Sequence, residues 1–332
     1  MKDVIIYKID DNSLNIAKNY ILNDELVAFP TETVYGLGAN AYSDAAIKAV
    51  YAAKGRPLDN PLIVHVHKDF DIEKLVFDSD VAKLLRNAFL PGPLTMVYKS
   101  KNAVSPLCSC GLGTLAIRVP SHEGAQRFLR FVDLPIAAPS ANVSKHVSPV
   151  TAEHVFEDLG KIIPMILDGG RCEGGIESTV LDVTGDIPVI LRKGLVTAEM
   201  IKSVVGACEY ADKESELNKR SPGTRYVHYC PKTETALFDE NEIDAAERLY
   251  EECASEGKTA CVLSSHKNCI ALKRSTVRLD IGNDGKEMAS RLYHSLREGE
   301  KYDILIGIKF TPSDEVSLGV ENRFLKAFGK RK

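Results

Sequence analysis

Between residues 207 and 235 the chain loses its apolar periodicity and carries a charged run, residues 212–220, that ends in Ser221-Pro222-Gly223. Gly and Pro together break both helix and strand, and a charged run repels itself and extends, so this stretch reads as a linker. It splits the chain into a unit over 1–206, a linker over 207–235 and a second unit over 236–332. At about 150 residues per domain, 332 residues suggest the same number of units.

The rhythm differs on the two sides. Before the linker, short apolar runs at 26–29, 62–66, 94–98, 115–119, 136–138, 165–167, 178–183 and 189–191 predict strands separated by Pro- and Gly-rich turns. Helices are predicted over 44–54, 81–88, 151–159 and 197–205. Ser43 or Asp44 caps the first of these, and Gly55 followed by Arg56-Pro57 stops it, which leaves Lys54 on its last turn beside a sharp loop. That pattern is a strand-rich α/β unit rather than a regular βαβ repeat. After the linker, strands at 235–238, 259–264 and 303–309 alternate with helices at 242–256 and 286–298, the pattern of a small doubly wound domain.

Charge excludes one broad class. Up to Gly206 there are 21 basic and 24 acidic residues, and after it 21 and 22, so neither part is a basic nucleic-acid module. No apolar run approaches a membrane span, and the start MKDVIIYKIDD lacks a signal-peptide core, so a cytoplasmic protein is expected. Eight cysteines occur without a CxxC pair, which reads as reduced, mostly buried thiols rather than a zinc cage or a disulfide framework. Without apolar heptads or a long edge-strand signature, a monomer is the expected state.

Gly36-Leu37-Gly38-Ala39-Asn40-Ala41 fits the dinucleotide fingerprint, with Asp59 at about the required distance. Its context is wrong: Asp59 lies in the turn GRPLDNP with no strand before it, and the helix begins at Asp44 rather than inside the glycines. There is no GxxxxGK[ST] phosphate loop either.

A stronger signal is the set of polar residues on tight turns at element ends, where loops carry function. They are Thr31 and Thr33 in FPTETVYGLG, Lys54 and Arg56 in KGRPLDNPL, His65 in IVHVH, Arg118 in LAIRVP, Ser140 and Asn142 in PSANVS, Ser178 in GGIESTV and Arg192 in ILRKG. Singly, each has an ordinary structural explanation as a cap, a turn residue, a strand-end ion pair or a core histidine. Together, four cations beside glycine- and proline-shaped turns suit an anionic substrate, Arg binding through its planar fork and Lys as a point charge. Ser140, Asn142 and Ser148 with the backbone N–H groups of the PSAN turn form a further phosphate cradle. A nucleoside triphosphate fits this set better than one small acid.

These motifs, with PGPLTMV, DGGRCEGGIESTVLD and the linker's SPGTRYVHYCP, resemble the YrdC-type L-threonylcarbamoyladenylate synthases in their long, two-domain form. The order and spacing hold through about residues 26 to 195. The resemblance implies an α/β twisted open sheet around a large concave cavity, followed by a smaller Rossmann-like α/β domain. It implies the reaction of L-threonine, bicarbonate and ATP to threonylcarbamoyl-AMP and pyrophosphate, a product passed to the tRNA threonylcarbamoyl transferase proteins that modify tRNA next to the anticodon.

Carried over by motif position, Lys54 and Arg56 match the family's KxR and Ser140 and Asn142 its SxN, the pairs that hold the phosphates. Arg56, Asn60, Thr114, Ser140, Ser148 and Arg192 are expected to contact ATP, and Thr33, His65, Arg118, Ser178 and the backbone of Ala138 to hold threonine or its carbamate. Tyr229 of the linker's HY pair is expected to close over the nucleotide, as a lid that excludes water from a labile adenylate, with His228 beside it. Thr224 departs from the SPGM that this linker usually carries. Mg2+ is expected to arrive with ATP, since no dedicated metal cage is visible and Glu32, Asp59 and Glu177 read equally well as structural. The competing reading is a non-catalytic RNA- or ribosome-binding module, which predicts tight, salt-sensitive RNA binding without ATP. Carbamoyl transfer in hydrogenase maturation is a further alternative, but that family carries CxxC repeats and an acylphosphatase-like segment, and this chain has neither.

Overall fold

The structure, a computed structural model, describes residues 4–212, 215–221 and 229–329. They form two compact units, one from the residues up to 226 without 145–148, the other from 145–148 together with the residues after 226.

Twelve strands of the first unit make one mixed sheet: β1 (Ile5–Lys8), β2 (Val27–Phe29), β3 (Gly36–Asn40), β4 (Ile63–His65), β5 (Val76–Phe77), β6 (Leu94–Ser100), β7 (Thr114–Arg118), β8 (Ile136–Ala137), β9 (Met165–Asp168), β10 (Thr179–Asp182), β11 (Val189–Arg192) and β12 (Glu209–Tyr210). Their order is β1-β9-β2-β3-β8-β4-β7-β6-β10-β11-β12, with β5 attached to β6. The strands are two to seven residues long, as their Pro- and Gly-rich punctuation dictates.

Helices Asp11–Leu22 and Glu123–Val132 cover one region of the sheet, burying Leu14, Ala17 and Ile21 against Phe128, Leu129 and Val132, with Val27, Phe29, Met165 and Leu167 beneath. The first of them starts in a reciprocal cap: Asp10 Oδ1 accepts the Ser13 N–H at 2.7 Å and Ser13 Oγ accepts the Asp10 N–H at 2.9 Å. Both helices escaped the sequence reading, as did β1 and β3. The GLGAN stretch, whose glycines imitate a dinucleotide loop, is β3, antiparallel to both β2 and β8. Its glycines serve packing, because a Cβ on Gly38 would stand 2.9 Å from Ile136 Cγ2 and 3.0 Å from Phe29.

Helix Asp44–Lys54 has the predicted limits. Ser43 accepts the Ala46 N–H, and Gly55 ends the helix with φ 59° in the left-handed region where glycine has no penalty. The segment read as a linker is partly built into the first unit: β12 pairs with β11, Leu217 packs on the cluster around Val97 and Val180, and Arg220 Nη1 lies 2.9 Å from Asp182 Oδ2.

In the second unit, β13 (Glu234–Phe238), β14 (Ala260–Ser264), β15 (Arg278–Asp280) and β16 (Ile304–Ile308) form a parallel sheet in the order β13-β16-β14-β15. Helices Ile243–Ser255, Gly285–Gly299 and Glu315–Phe328 connect and flank the strands. The short segment 145–148 is tied into this unit. Cys230 N–H donates to the Lys145 carbonyl at 2.9 Å, Arg297 Nη2 donates to the Val147 carbonyl at 2.5 Å, and His146 Nε2 lies 2.7 Å from Glu300 Oε1. Among the described residues no helix is long and apolar enough to cross a membrane.

Candidate active site

The register of the first sheet sets five strands side by side so that one transverse row runs His65 on β4, Arg118 on β7, Thr95 on β6, Val180 on β10 and Arg192 on β11. Neighbouring strands lie about 4.8 Å apart, so residues as distant in sequence as 65 and 192 share one strip of the molecule. Ser178, just before β10, joins it through its hydroxyl, 2.7 Å from Thr95 Oγ1.

Arg118 is almost wholly buried, with Nη2 2.8 Å from Glu32 Oε1 and 3.5 Å from Thr31 Oγ1. Thr31 and Thr33 lie in the turn between β2 and β3, their hydroxyls 3.0 Å apart, and Thr31 Oγ1 donates to the Val34 carbonyl at 2.6 Å. His65 Nδ1 is 3.1 Å from the Ile63 carbonyl, its ring edge-on to Phe29 at 5.7 Å. Burial, reinforced by the Arg118 charge, pushes the imidazole down to about 3, so His65 is neutral at physiological pH and offers a polar ring without charge. Ala138 follows β8. Its N–H is spent on the Ile63 carbonyl at 2.8 Å, which leaves the carbonyl for any backbone contact with a ligand.

At the far end of the row Arg192 wraps a single carbonyl: Nε and Nη2 donate to Ser178 O at 3.1 and 2.9 Å, and Nη2 reaches Ser178 Oγ at 3.3 Å. Gly194 allows this, because a Cβ there would stand 2.4 Å from the Thr179 nitrogen.

Lys54 is tied to the PSAN turn. It is 2% exposed, and its ammonium donates to the Ser140 carbonyl at 2.5 Å, to the Asn142 carbonyl and to Asn142 Oδ1 at 3.3 Å. All three acceptors belong to the PSAN turn, so in this structure Lys54 braces the turn from behind. Burial and the nearby Arg56 hold its amine well below the ordinary lysine range. Ser140 Oγ donates to Asn142 Oδ1 at 2.6 Å and completes the brace. Arg56 closes the next loop, with Nε donating to Asn60 O at 3.3 Å and Nη2 to Pro61 O at 3.1 Å, and burial lowers it to about 10. Asn60 is 1% exposed, and its carbonyl also takes the Tyr51 hydroxyl at 3.0 Å. Thr114 opens β7 opposite Lys99 on β6.

The structure thus joins Lys54 with Ser140 and Asn142, Arg56 with Asn60, Thr31 and Thr33 with Arg118, and Ser178 with Arg192. Ser148 and Tyr229 belong to the second unit, where Tyr229 is buried and stacks on Tyr293 at 5.3 Å. Thr224 and His228 lie outside the described residues. Tyr51 and Thr95 are partners that sequence reasoning left out; Glu32, which the sequence reading weighed as a structural carboxylate, pairs with Arg118.

Two family models account for nearly the whole chain. One, described as Telomere recombination, matches residues 19–194, and the other, described as Threonylcarbamoyl-AMP synthase, C-terminal domain, matches residues 196–329. The threonylcarbamoyl-AMP synthase of Bacillus subtilis is 41% identical over 97% of this chain and 94% of its own length. That of Pyrococcus abyssi is 37% identical over 98% and 96%. The crystal structure of P. abyssi Sua5 complexed with L-threonine superposes with a TM-score of 0.87 at 36% identity, covering 98% of both chains. With both units matched in order and full-length relatives well above 30% identity, the chain belongs to the threonylcarbamoyl-AMP synthase family.

Proposed function

We propose that the protein makes threonylcarbamoyl-AMP and pyrophosphate from L-threonine, bicarbonate and ATP, as a nucleotidyltransferase serving threonylcarbamoyladenosine formation in tRNA. The observation that carries this reading is the transverse row from His65 to Arg192, flanked by the Lys54-braced turn, in a chain related end to end to synthases of that name.

In this reading the part of the row from His65 to the Thr95–Ser178 contact is the threonine side, and Arg192 at its far end serves ATP. Arg118 takes the carboxylate, Thr33, Ser178 and neutral His65 offer polar contacts that add no charge, and the Ala138 carbonyl faces the amine or its carbamate. Arg56, Asn60, Thr114, Ser140, Asn142 and Arg192, all in the first unit, hold ATP. Mg2+ enters as part of the substrate MgATP. The phosphate oxygens and water supply its ligands in this reading.

The amine attacks CO2 derived from bicarbonate and loses a proton, giving a carbamate. A carbamate oxygen then bonds to the α-phosphorus as the bond from that phosphorus to the α,β-bridging oxygen breaks, and pyrophosphate leaves. No covalent enzyme intermediate is required, and rate comes from positioning and from cations placed where phosphate charge accumulates. The adenylate goes on to tRNA threonylcarbamoyl transferase proteins in the cytoplasm.

The test is pyrophosphate release by the purified protein with threonine and bicarbonate omitted in turn, together with mass detection of threonylcarbamoyl-AMP. Release that requires both supports the reading. Release that requires neither, or tight RNA binding with no release, removes it.

A further inference from the structure

Glu32 is held at three points by three different parts of the first unit. Its Oε1 lies 2.8 Å from Arg118 Nη2, its Oε2 accepts the Ser121 N–H at 3.2 Å, and its carbonyl accepts the Gly174 N–H at 2.7 Å. The last contact is possible because residue 174 has no side chain: a Cβ there would stand 2.7 Å from the same carbonyl oxygen. The paired side chains are 17% and 4% exposed. Desolvation cancels most of the attraction in a pair this enclosed, so net stability is a weak reason for it. What it does supply is geometry. A guanidinium is planar and rigid, so contacts at Nη2 from both Glu32 and Thr31 restrict the orientation of the whole group.

Arg118 still has a donor to spend. Its Nε is buried and has no hydrogen-bond acceptor among the described residues. Buried donors of this kind are rare in folded proteins, and this one is available to an acceptor on a ligand. His65, across the strand pair, is held neutral and adds no second cation to attract an anion.

We propose that Glu32 is a positioning residue for amino-acid binding: by gripping Nη2 of Arg118 it sets the guanidinium plane so that the Nε edge meets the carboxylate of threonine. Glu32 acts through Arg118. The proposal rests on the reading of Arg118 as the carboxylate-binding group.

The test is steady-state kinetics of pyrophosphate release for Glu32→Gln, Glu32→Asp, Arg118→Ala and the Glu32→Gln/Arg118→Ala double variant, with thermal unfolding of each. Gln keeps the volume but loses the charge and sets an amide N–H against a donor on one side. Asp keeps the charge but falls short of one of its two contacts. The expected result is a threonine KM raised about tenfold in Glu32→Gln, through the loss of one close ion pair, and raised less in Glu32→Asp. The ATP KM and kcat stay within about threefold of wild type. In the Arg118→Ala background the Gln substitution adds nothing further, as required of residues acting on one contact. An unchanged threonine KM in Glu32→Gln, equal rises in both KM values with a lowered melting temperature, or full additivity with Arg118→Ala overturns the proposal. An unchanged threonine KM in Arg118→Ala overturns the underlying reading of Arg118 instead, and the two failures are told apart by that variant alone.

Discussion

The Lys54 ammonium lies 2.5 Å from the Ser140 carbonyl oxygen, across 86 residues of sequence, and the same nitrogen reaches the Asn142 carbonyl. A lysine spent in this way shapes the loop that a nucleotide meets. Lys54→Met should therefore lose both turnover and stability, by about 1–3 kcal/mol for the carbonyls left buried without a donor. Arg56→Ala, on a more open side chain, should lose turnover by on the order of a hundredfold with a smaller change in unfolding free energy. Urea denaturation beside pyrophosphate release separates the two effects. A Lys54→Met protein of wild-type stability would contradict the brace.

Arg192 should affect both substrates. Its guanidinium is assigned to ATP, yet it also wraps the Ser178 carbonyl, whose side chain is assigned to threonine. Arg192→Ala should raise the KM of ATP and of threonine together, by several-fold to tenfold each if one hydrogen bond per substrate is lost. Arg56→Ala, besides its loss of turnover, should raise the KM of ATP and leave that of threonine unchanged. Initial-rate measurements with each substrate varied in turn check this.

His65 should make the fold acid-sensitive. Its folded pKa lies at about 3 and its unfolded value near 6.5, so between these limits the unfolded chain binds the extra proton. Stability from this residue is complete above about pH 6.5 and falls as pH drops toward 3, with a slope of about 1.4 kcal/mol per pH unit for one proton. His65→Asn should flatten that part of the profile. Denaturant midpoints at pH 7, 6 and 5 for both proteins give the comparison.

Gly194→Ala should be among the more damaging small substitutions. The added methyl would meet the Thr179 nitrogen at 2.4 Å and the Ser178 carbonyl carbon at 2.8 Å, both main-chain atoms that cannot rotate away. Overpacking of this kind costs typically 1–3 kcal/mol, and because it pushes on Ser178 the threonine KM should rise as well. Gly185→Ala, where nothing lies within 4 Å, is the control and should leave both melting temperature and KM unchanged.

The elements that the sequence made legible are those with strong local punctuation. Helix Asp44–Lys54 is framed by Ser43 and Gly55, and helix Ala198–Val205 by Thr197 and Gly206, whose φ of 80° suits only glycine comfortably. Helix Asp11–Leu22 went unread because Asp, Asn and Lys interrupt its apolar stripe, and only Leu14, Ala17 and Ile21 among its apolar residues are fully buried. The site residues were legible singly, because Gly- and Pro-shaped turns place them at element ends. Their arrangement was not: the row from His65 to Arg192 depends on the order β4-β7-β6-β10-β11, which no local pattern encodes. The contacts of Lys54 with the PSAN turn were not legible for a related reason, since that turn lies more than eighty residues further on.

Four residues of the second unit, Lys145 to Ser148, come from far upstream of the rest, and they are bonded to Cys230, Arg297 and Glu300. The gene therefore cannot be cut cleanly in two. A fragment beginning after residue 226 would expose the side chains of Arg297 and Glu300 that now close on a borrowed strand of chain, and expressing it alone would yield a less cooperative, more aggregation-prone protein than the intact polypeptide. Supplying residues 145–148 as a fused or added peptide should restore its sharp unfolding.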